Sequence, residues 1–261
     1  MTSLIQQEWM SLAPNGVSVN YYDECSSTNY LAVEQGAKGF QQPTWFVAGK
    51  QTAGRGRRGR AWVSQTGNFY GSLLTRIEGK LSDLATLPYV VALAVRDTFI
   101  ASGCDAGQIQ CKWPNDVLIG EKKASGILIE SSADGSQNID FVVIGVGLNL
   151  KHCPDGAQFP STCVIDQTGT EVSASQAFKY LSHALHERLN SWQPDNVAEV
   201  VREWSSVSWG IGKRREIRTT DETFTATLMG LDNDGGLTLQ LDDGTQRILY
   251  AGDVFAGPRP H

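Results

Sequence analysis

No CxxC pair, no Cys–His cluster and no apolar run long enough to cross a bilayer occur in this 261-residue chain. The five cysteines (25, 104, 111, 153, 163) leave an odd one over. That pattern reads as reduced, mostly structural thiols in a cytoplasmic protein. The four histidines are scattered at 152, 183, 186 and 261. His183 and His186 share a helical face, but no cysteine or carboxylate cluster stands beside them. A metal site made by protein side chains alone is therefore not expected. Residues 1–16 lack a basic stretch followed by an apolar core, so no signal peptide is read there. The longest apolar runs, 89–95 and 141–148, fall short of the roughly 20 residues of a membrane helix. Internal repeats and low-complexity linkers are absent too. Positive charge is scarce: the net charge is -6 and the pI is about 5.2, which argues against a general nucleic-acid binder.

Against that background one stretch stands out. Residues 50–62 hold five positive charges, three glycines and no acid. Glycine lets the backbone approach a ligand closely, successive free N–H groups can cradle an anion, and arginine forks grip carboxylate or phosphate with paired hydrogen bonds. The segment reads as a flexible loop closing over a polyanion. Two other readings stand beside it: a solvated basic loop, and an Arg-Gly patch for single-stranded nucleic acid.

In chain order, residues 17–24 read as a strand, and Ser27, Thr28 and Asn29 open a helix. Those hydroxyls either cap the helix or offer a polar ligand the strand-to-helix turn. Residues 44–48 form a strand feeding the basic loop. Trp62 after it is either core or a stacking surface. A strand at 68–75 and an amphipathic helix at 84–101 follow. Residues 107–112 read as a strand, broken at Trp113-Pro114-Asn115-Asp116. Residues 117–119 and 123–130 make a hairpin around Gly120-Glu121-Lys122. Lys123 lies seven residues past Asp116 on the returning arm, so both charges can face one cavity. Gly126 marks close approach of a ligand or another backbone. Residues 139–150 are nearly all apolar and read as a central strand covered on both faces. Helices are expected at 174–192 and at 195–209, the second with Asp195 as N-cap and Glu199 in its first turn. From Gly210 onward, four or five short strands between Asp- and Gly-rich turns read as a small β-barrel module.

Taken together, Ser27-Thr28-Asn29, residues 51–60 with Trp62, Lys112-Trp113-Pro114-Asn115-Asp116, residues 122–130 and Gly145-Val146-Gly147-Leu148-Asn149 resemble a bacterial biotin protein ligase. The motifs occur in family order and span most of the first 150 residues; the last fifty resemble the family's C-terminal module. The resemblance implies an α+β fold. A mixed β-sheet with helices, akin to class II aminoacyl-tRNA synthetases, would occupy residues 1–209, and a small SH3-like β-barrel residues 210–261. It implies a ligase that activates biotin with Mg-ATP to biotinyl-5'-AMP. The biotin then passes to one lysine of the biotin carboxyl carrier protein of acetyl-CoA carboxylase.

The resemblance also implies roles. Lys123 would bridge the carboxylate and α-phosphate oxygens. Arg55 and Arg57 would hold them and close the loop, and Gly54, Gly56 and Gly126 would let the ligand in. Ser27, Thr28, Asn29 and Gln51 would bind the ureido ring. Trp62 and Asn149 would contact adenine, while Arg58, Lys112 and Asn115 would serve the nucleotide. Asp116 steers or deprotonates the incoming amine, or helps hold Mg2+; the residues do not choose. Repressor members of the family carry an N-terminal helix-turn-helix domain, and this chain begins almost at the catalytic core, so no DNA binding is expected. A homodimer is left open. A lipoate-type acyl-adenylate ligase is the alternative within the enzyme class, and an Arg-Gly RNA-binding protein the alternative outside it.

Overall fold

The computed structural model describes residues 4–133, 138–154, 159–192, 196–232 and 234–256. Its larger sheet holds β1 (Ser18–Cys25), β2 (Thr44–Gln51), β3 (Phe69–Thr75), β4 (Ile109–Lys112), β5 (Asp116–Ile119), β6 (Lys122–Ala133) and β7 (Ile139–Leu148). The strand order is β1-β2-β3-β7-β6-β5-β4. Only β1 and β2 run parallel; helix α2 (Thr28–Lys38) connects them, as a parallel pair requires a crossover. The apolar strand read at 139–150 lies at the centre, buried from Phe141 onward.

Both faces are covered. On one, α3 (Leu87–Ala101) and α5 (Ala174–Ser191) bury Val91, Val95, Phe178 and Leu181. Phe178 sits among Trp9, Trp45 and Phe69, with ring centroids 5.3, 5.6 and 6.0 Å away. Truncating such a ring to alanine costs about 3–5 kcal/mol. On the other face, Ala32 of α2 packs with Phe46, Leu74, Phe141 and Val143. The segment 81–101 is long and apolar enough to cross a membrane, which the short apolar runs did not suggest. However, 61% of its apolar window is buried inside the fold.

The strand register aligns the polar positions. Lys112 pairs with Asp116, Asp116 with Gly126, Gly126 with Gly147, and Gly147 with Tyr70. Directly opposed residues share a face, so this row crosses five strands on one side of the sheet. A second row on that side joins Leu128, Gly145 and Ser72. Lys123 is three residues from Gly126, which strict alternation would place on the opposite face. A register shift in β6 moves it: Ser125 pairs with Val117, but Lys123 pairs with Leu118. That bulge gives β6 one extra residue, and the side chain re-aims. The freed backbone is not left bare, since Lys123 N–H donates to Pro160 O and Thr162 N–H to Lys123 O.

The second sheet is antiparallel: β8 (Arg214–Arg218), β9 (Thr223–Leu231), β10 (Leu237–Gln240), β11 (Gln246–Leu249) and β12 (Asp253–Phe255), in the order β11-β10-β9-β8-β12. No pairing between β11 and β12 closes it into a barrel among the described residues. Its inner residues, Ile217, Leu228, Leu237 and Val254, join the same core as Trp113, Trp204 and Trp209.

Several elements differ from the expectations. Helix α1 (Leu4–Ser11) was not anticipated; its Trp9 is buried by stacking on Tyr21. Residues 107–108 belong to a short 3-10 turn, because the Asp105 side chain accepts from Gly107 N–H and bends the chain before β4. A short helix α4 (Val164–Thr168) lies between β7 and α5, where no element was expected. Helix α6 (Val197–Ser206) has Asn196 at its cap position and Glu199 in its first turn. Asp195, the expected cap, lies outside the described residues.

Candidate active site

The face carrying the two polar rows opens into a cavity of about 520 Å³. Of the residues singled out in the sequence, Ser27, Thr28, Asn29, Gln51, Arg55, Gly56, Arg57, Trp62, Lys112, Asn115, Asp116, Lys123, Gly126 and Asn149 line it. Gly54 and Arg58 do not. Gly54 serves the loop's own packing: a Cβ there would sit 2.5 Å from Trp62 O. Arg58, in a left-handed conformation (φ 54), turns away to Asp253, 3.4 Å off.

One end of the cavity is a hydroxyl–amide cluster. Ser27 caps α2, so the capping reading holds, yet Ser27 also faces the cavity. Thr28 N–H donates to Gln51 Oε1 at 2.9 Å, and Gln51 Nε2 donates to Ser64 at 3.2 Å. Ser72 lies 2.7 Å from the Thr28 hydroxyl and 2.6 Å from Asn29 Oδ1. Asn29 Nδ2 donates to Glu130 at 2.9 Å, and Glu130 pairs with Arg55 at 3.2 Å. Gly145 is required here, because any Cβ would lie 1.9 Å from Asn29 Oδ1.

At the opposite end three charges meet. Asp116 Oδ1 is 2.6 Å from Lys123 Nζ, and its Oδ2 is 3.3 Å from Lys112 Nζ. Burial opposes ionisation of Asp116, but the two ammonium groups outweigh it and hold the carboxyl below its usual range. Burial lowers the pKa of Lys112, against the pull of Asp116. Lys112 also lies 4.8 Å from the Phe159 ring. Five cations and two acids line the cavity, an excess of three positive charges.

The basic segment is folded back on itself. Gly56 N–H donates to Arg60 O and Trp62 N–H to Gly54 O, around a 3-10 turn at Arg57–Gly59. Arg57 donates to Asn115 Oδ1 at 3.2 Å, and Arg60 pairs with Asp253. Arg55, Arg57 and Arg60 thus line the cavity, where a solvated loop would splay them outward.

Trp62 lies on the paired glycines. A Cβ on Gly126 or on Gly147 would come within 2.6 Å of its ring. The close approach read at Gly126 is therefore made by an indole. Lys123 Nζ sits 5.4 Å from the same ring, and the indole N–H is buried without a partner among the described residues. Asn149 donates to Thr162 O at 3.1 Å and to Lys123 O at 3.4 Å, which ties it to the Lys123 backbone.

Sequence reading missed Ser72, Glu130, Phe159, Asp253 and Phe255. Ser72 reaches the site by opposing Gly145 across β3 and β7, a pairing that alternation along one strand does not give. The β12 residues reach the cavity only through tertiary folding.

Comparison with known proteins fits this geometry. Residues 23–149 match the model of the biotin/lipoate A/B protein ligase family, and residues 210–257 match that of the biotin protein ligase C terminal domain. A biotin–[acetyl-CoA-carboxylase] ligase of Paracoccus denitrificans is 34% identical, over 88% of this chain and 97% of that protein. The bifunctional ligase/repressor BirA of Bacillus spizizenii is 32% identical, over 93% of this chain and 75% of the relative. The biotin protein ligase from Aquifex aeolicus, solved in complex with biotin and ATP, superimposes with a TM-score of 0.75 at 26% identity, covering 90% of this chain and 97% of that one. With both units matched and relatives aligned over most of their length, the chain belongs to the biotin protein ligase family.

Proposed function

We propose that this protein activates biotin with ATP and transfers it to one lysine of the biotin carboxyl carrier protein of acetyl-CoA carboxylase. The observation that carries the reading is the Asp116-held ammonium of Lys123 inside a cavity rimmed by arginines. In the first step a carboxylate oxygen of biotin attacks the α-phosphorus of ATP, the bond to the β-phosphate breaks, and pyrophosphate leaves. Two like charges must approach. At ~4 Å and an effective dielectric near 20 their repulsion is about 4 kcal/mol. Lys123, Arg55 and Arg57 offset it and stabilise the charge that develops on the phosphoryl oxygens. In the second step the carrier amine attacks the acyl carbon, the acyl–phosphate bond breaks, AMP leaves with the bonding pair, and the amine gives up a proton.

Asp116 acts here by position. A carboxylate held below its usual pKa is a poor general base, and both its oxygens already face ammonium groups. The same arrangement does not fit a protein-held Mg2+; the ion enters with the triphosphate as part of the substrate. Ser27, Thr28, Asn29 and Gln51 supply the mixed donors and acceptors a ureido ring needs. The Trp62 ring, whose indole N–H is buried against Gly147, serves as a stacking surface for adenine. Arg58 supports the lid from outside through Asp253. Residues 1–209 carry the chemistry. Residues 210–261, an SH3-like module, close the site with Asp253 and Phe255.

The hydroxyls and amides at one end of this cavity suit a ureido ring better than the dithiolane of lipoate. An RNA-binding reading leaves the Lys112–Asp116–Lys123 cluster unexplained. The test is ligand-linked stabilisation: biotin with ATP should raise the unfolding temperature far more than biotin alone, as mass action requires for a tightly held adenylate. Equal shifts would contradict adenylation.

A further inference from the structure

One group of side chains converges outside the chemistry assigned above. Cys153 follows β7, Cys163 stands at the N-terminus of α4, and Asp166 lies in the first turn of that helix. Their two sulfurs and a carboxylate oxygen all lie within 4.8 Å of one another, with Cys153 Sγ 4.0 Å from Asp166 Oδ2. Nine residues separate the cysteines, so no spacing in the sequence announced the group.

Backbone hydrogen bonds fix both arms. Lys151 and His152 donate their N–H groups to Asn68 Oδ1 at 2.9 and 3.0 Å. Val164 N–H donates to Asn149 O and Ile165 N–H to Leu150 O, both at 3.0 Å. The three donor atoms therefore converge because the chain holds them there.

Two thiols this close could form a disulfide or ligate a metal, and the carboxylate decides between the two. Toward a cation the same carboxylate is a third ligand. We propose that Cys153, Cys163 and Asp166 form a site for a soft divalent cation of the Zn2+ class, with water as fourth ligand. Binding converts both thiols to thiolates and releases two protons to solvent. The site would tether the cavity wall. Pro154, Phe159 and Ser161 line the cavity between the two cysteines, and Pro160 and Thr162 hold the Lys123 backbone.

The test uses the reduced full-length protein, titrated with Co2+ as a spectroscopic probe and then with Zn2+ as competitor. A thiolate-to-cobalt charge-transfer band saturating at one ion per chain and displaced by Zn2+ is expected, together with a higher unfolding temperature. Cys153→Ser at a half-buried position and Asp166→Asn at an exposed one should keep the fold, checked by circular dichroism. Each should weaken Zn2+ binding by about tenfold or more. No band, or a band unchanged in the double variant, would overturn the site. So would a Cys153–Cys163 disulfide formed under hydrogen peroxide by a protein that binds no metal when reduced.

Discussion

A single ammonium group decides whether the cavity can bring a carboxylate against a phosphate. Lys123→Ala should leave the unfolding temperature within a few degrees of the parent. Biotin-dependent exchange of pyrophosphate into ATP should fall by about 100-fold or more, the scale of losing one preorganised charge stabiliser. Unimpaired exchange would show that another group does this work. Asp116 is expected to matter for stability as well. Removing it leaves Lys112 buried without its paired carboxylate, a loss of about 3–5 kcal/mol for Asp116→Asn near neutral pH. The carboxyl is held below its usual range, so its contribution is full above the unfolded value near 3.9 and is lost as pH falls through the folded value. Urea midpoints of the two proteins should therefore converge on acidification; a gap that stays constant with pH would refute the assignment. The chemistry of these residues was readable from Lys112, Asp116 and Lys123 as types. The hairpin already allowed Asp116 and Lys123 to face one cavity, as they do at 2.6 Å; the β6 bulge that turns Lys123 to that face was not readable, because alternation puts Lys123 and Gly126 on opposite faces.

Among the elements, the folded-back loop and the glycine-bearing strands work against each other across Trp62. Gly147→Ala would place a methyl within 2.6 Å of the indole and should lift the ring from its slot. KM for biotin and ATP should rise about tenfold, equivalent to about 1.4 kcal/mol. Because both residues shape one contact, the effects of Gly147→Ala and Trp62→Ala should combine less than additively; simple additivity would show that the ring and the glycine do not act together. Asp253→Asn removes the partner of Arg58 and Arg60. Such partly exposed pairs contribute about 0–1 kcal/mol, so stability should barely change. Biotinyl-adenylate should instead leak faster, read as AMP release in the absence of carrier, and Arg57→Gly should do the same. Unchanged leakage in both variants would remove the lid role. The loop was legible as an anion grip from its glycines and arginines. Its latch was not, since Arg58 and Asp253 are 195 residues apart in the chain and no local pattern links them.

For the whole molecule, turn chemistry from Gly210 onward disclosed a separate β unit, but not its reach into the site or its shared core. Tyr89 of α3 donates to Gly235 O, and Trp113 donates to the Tyr89 hydroxyl at 3.2 Å. Deleting residues 210–261 should expose Trp113, Trp204 and Trp209 together, an apolar patch of the kind that drives association. The truncated chain should aggregate where the full chain stays dispersed in light scattering. A soluble, active fragment would mean that the second unit is dispensable. The central claim is that cations on this one face neutralise the meeting of an acid and a nucleotide, so that biotin can be passed to a protein lysine. The most direct measurement is intact-mass analysis of a purified biotin carboxyl carrier domain incubated with this protein, biotin and Mg-ATP. One biotinyl group on a single carrier lysine is expected with the parent protein and none with Lys123→Ala. An unmodified carrier with the parent protein, or full modification with the variant, would contradict the account.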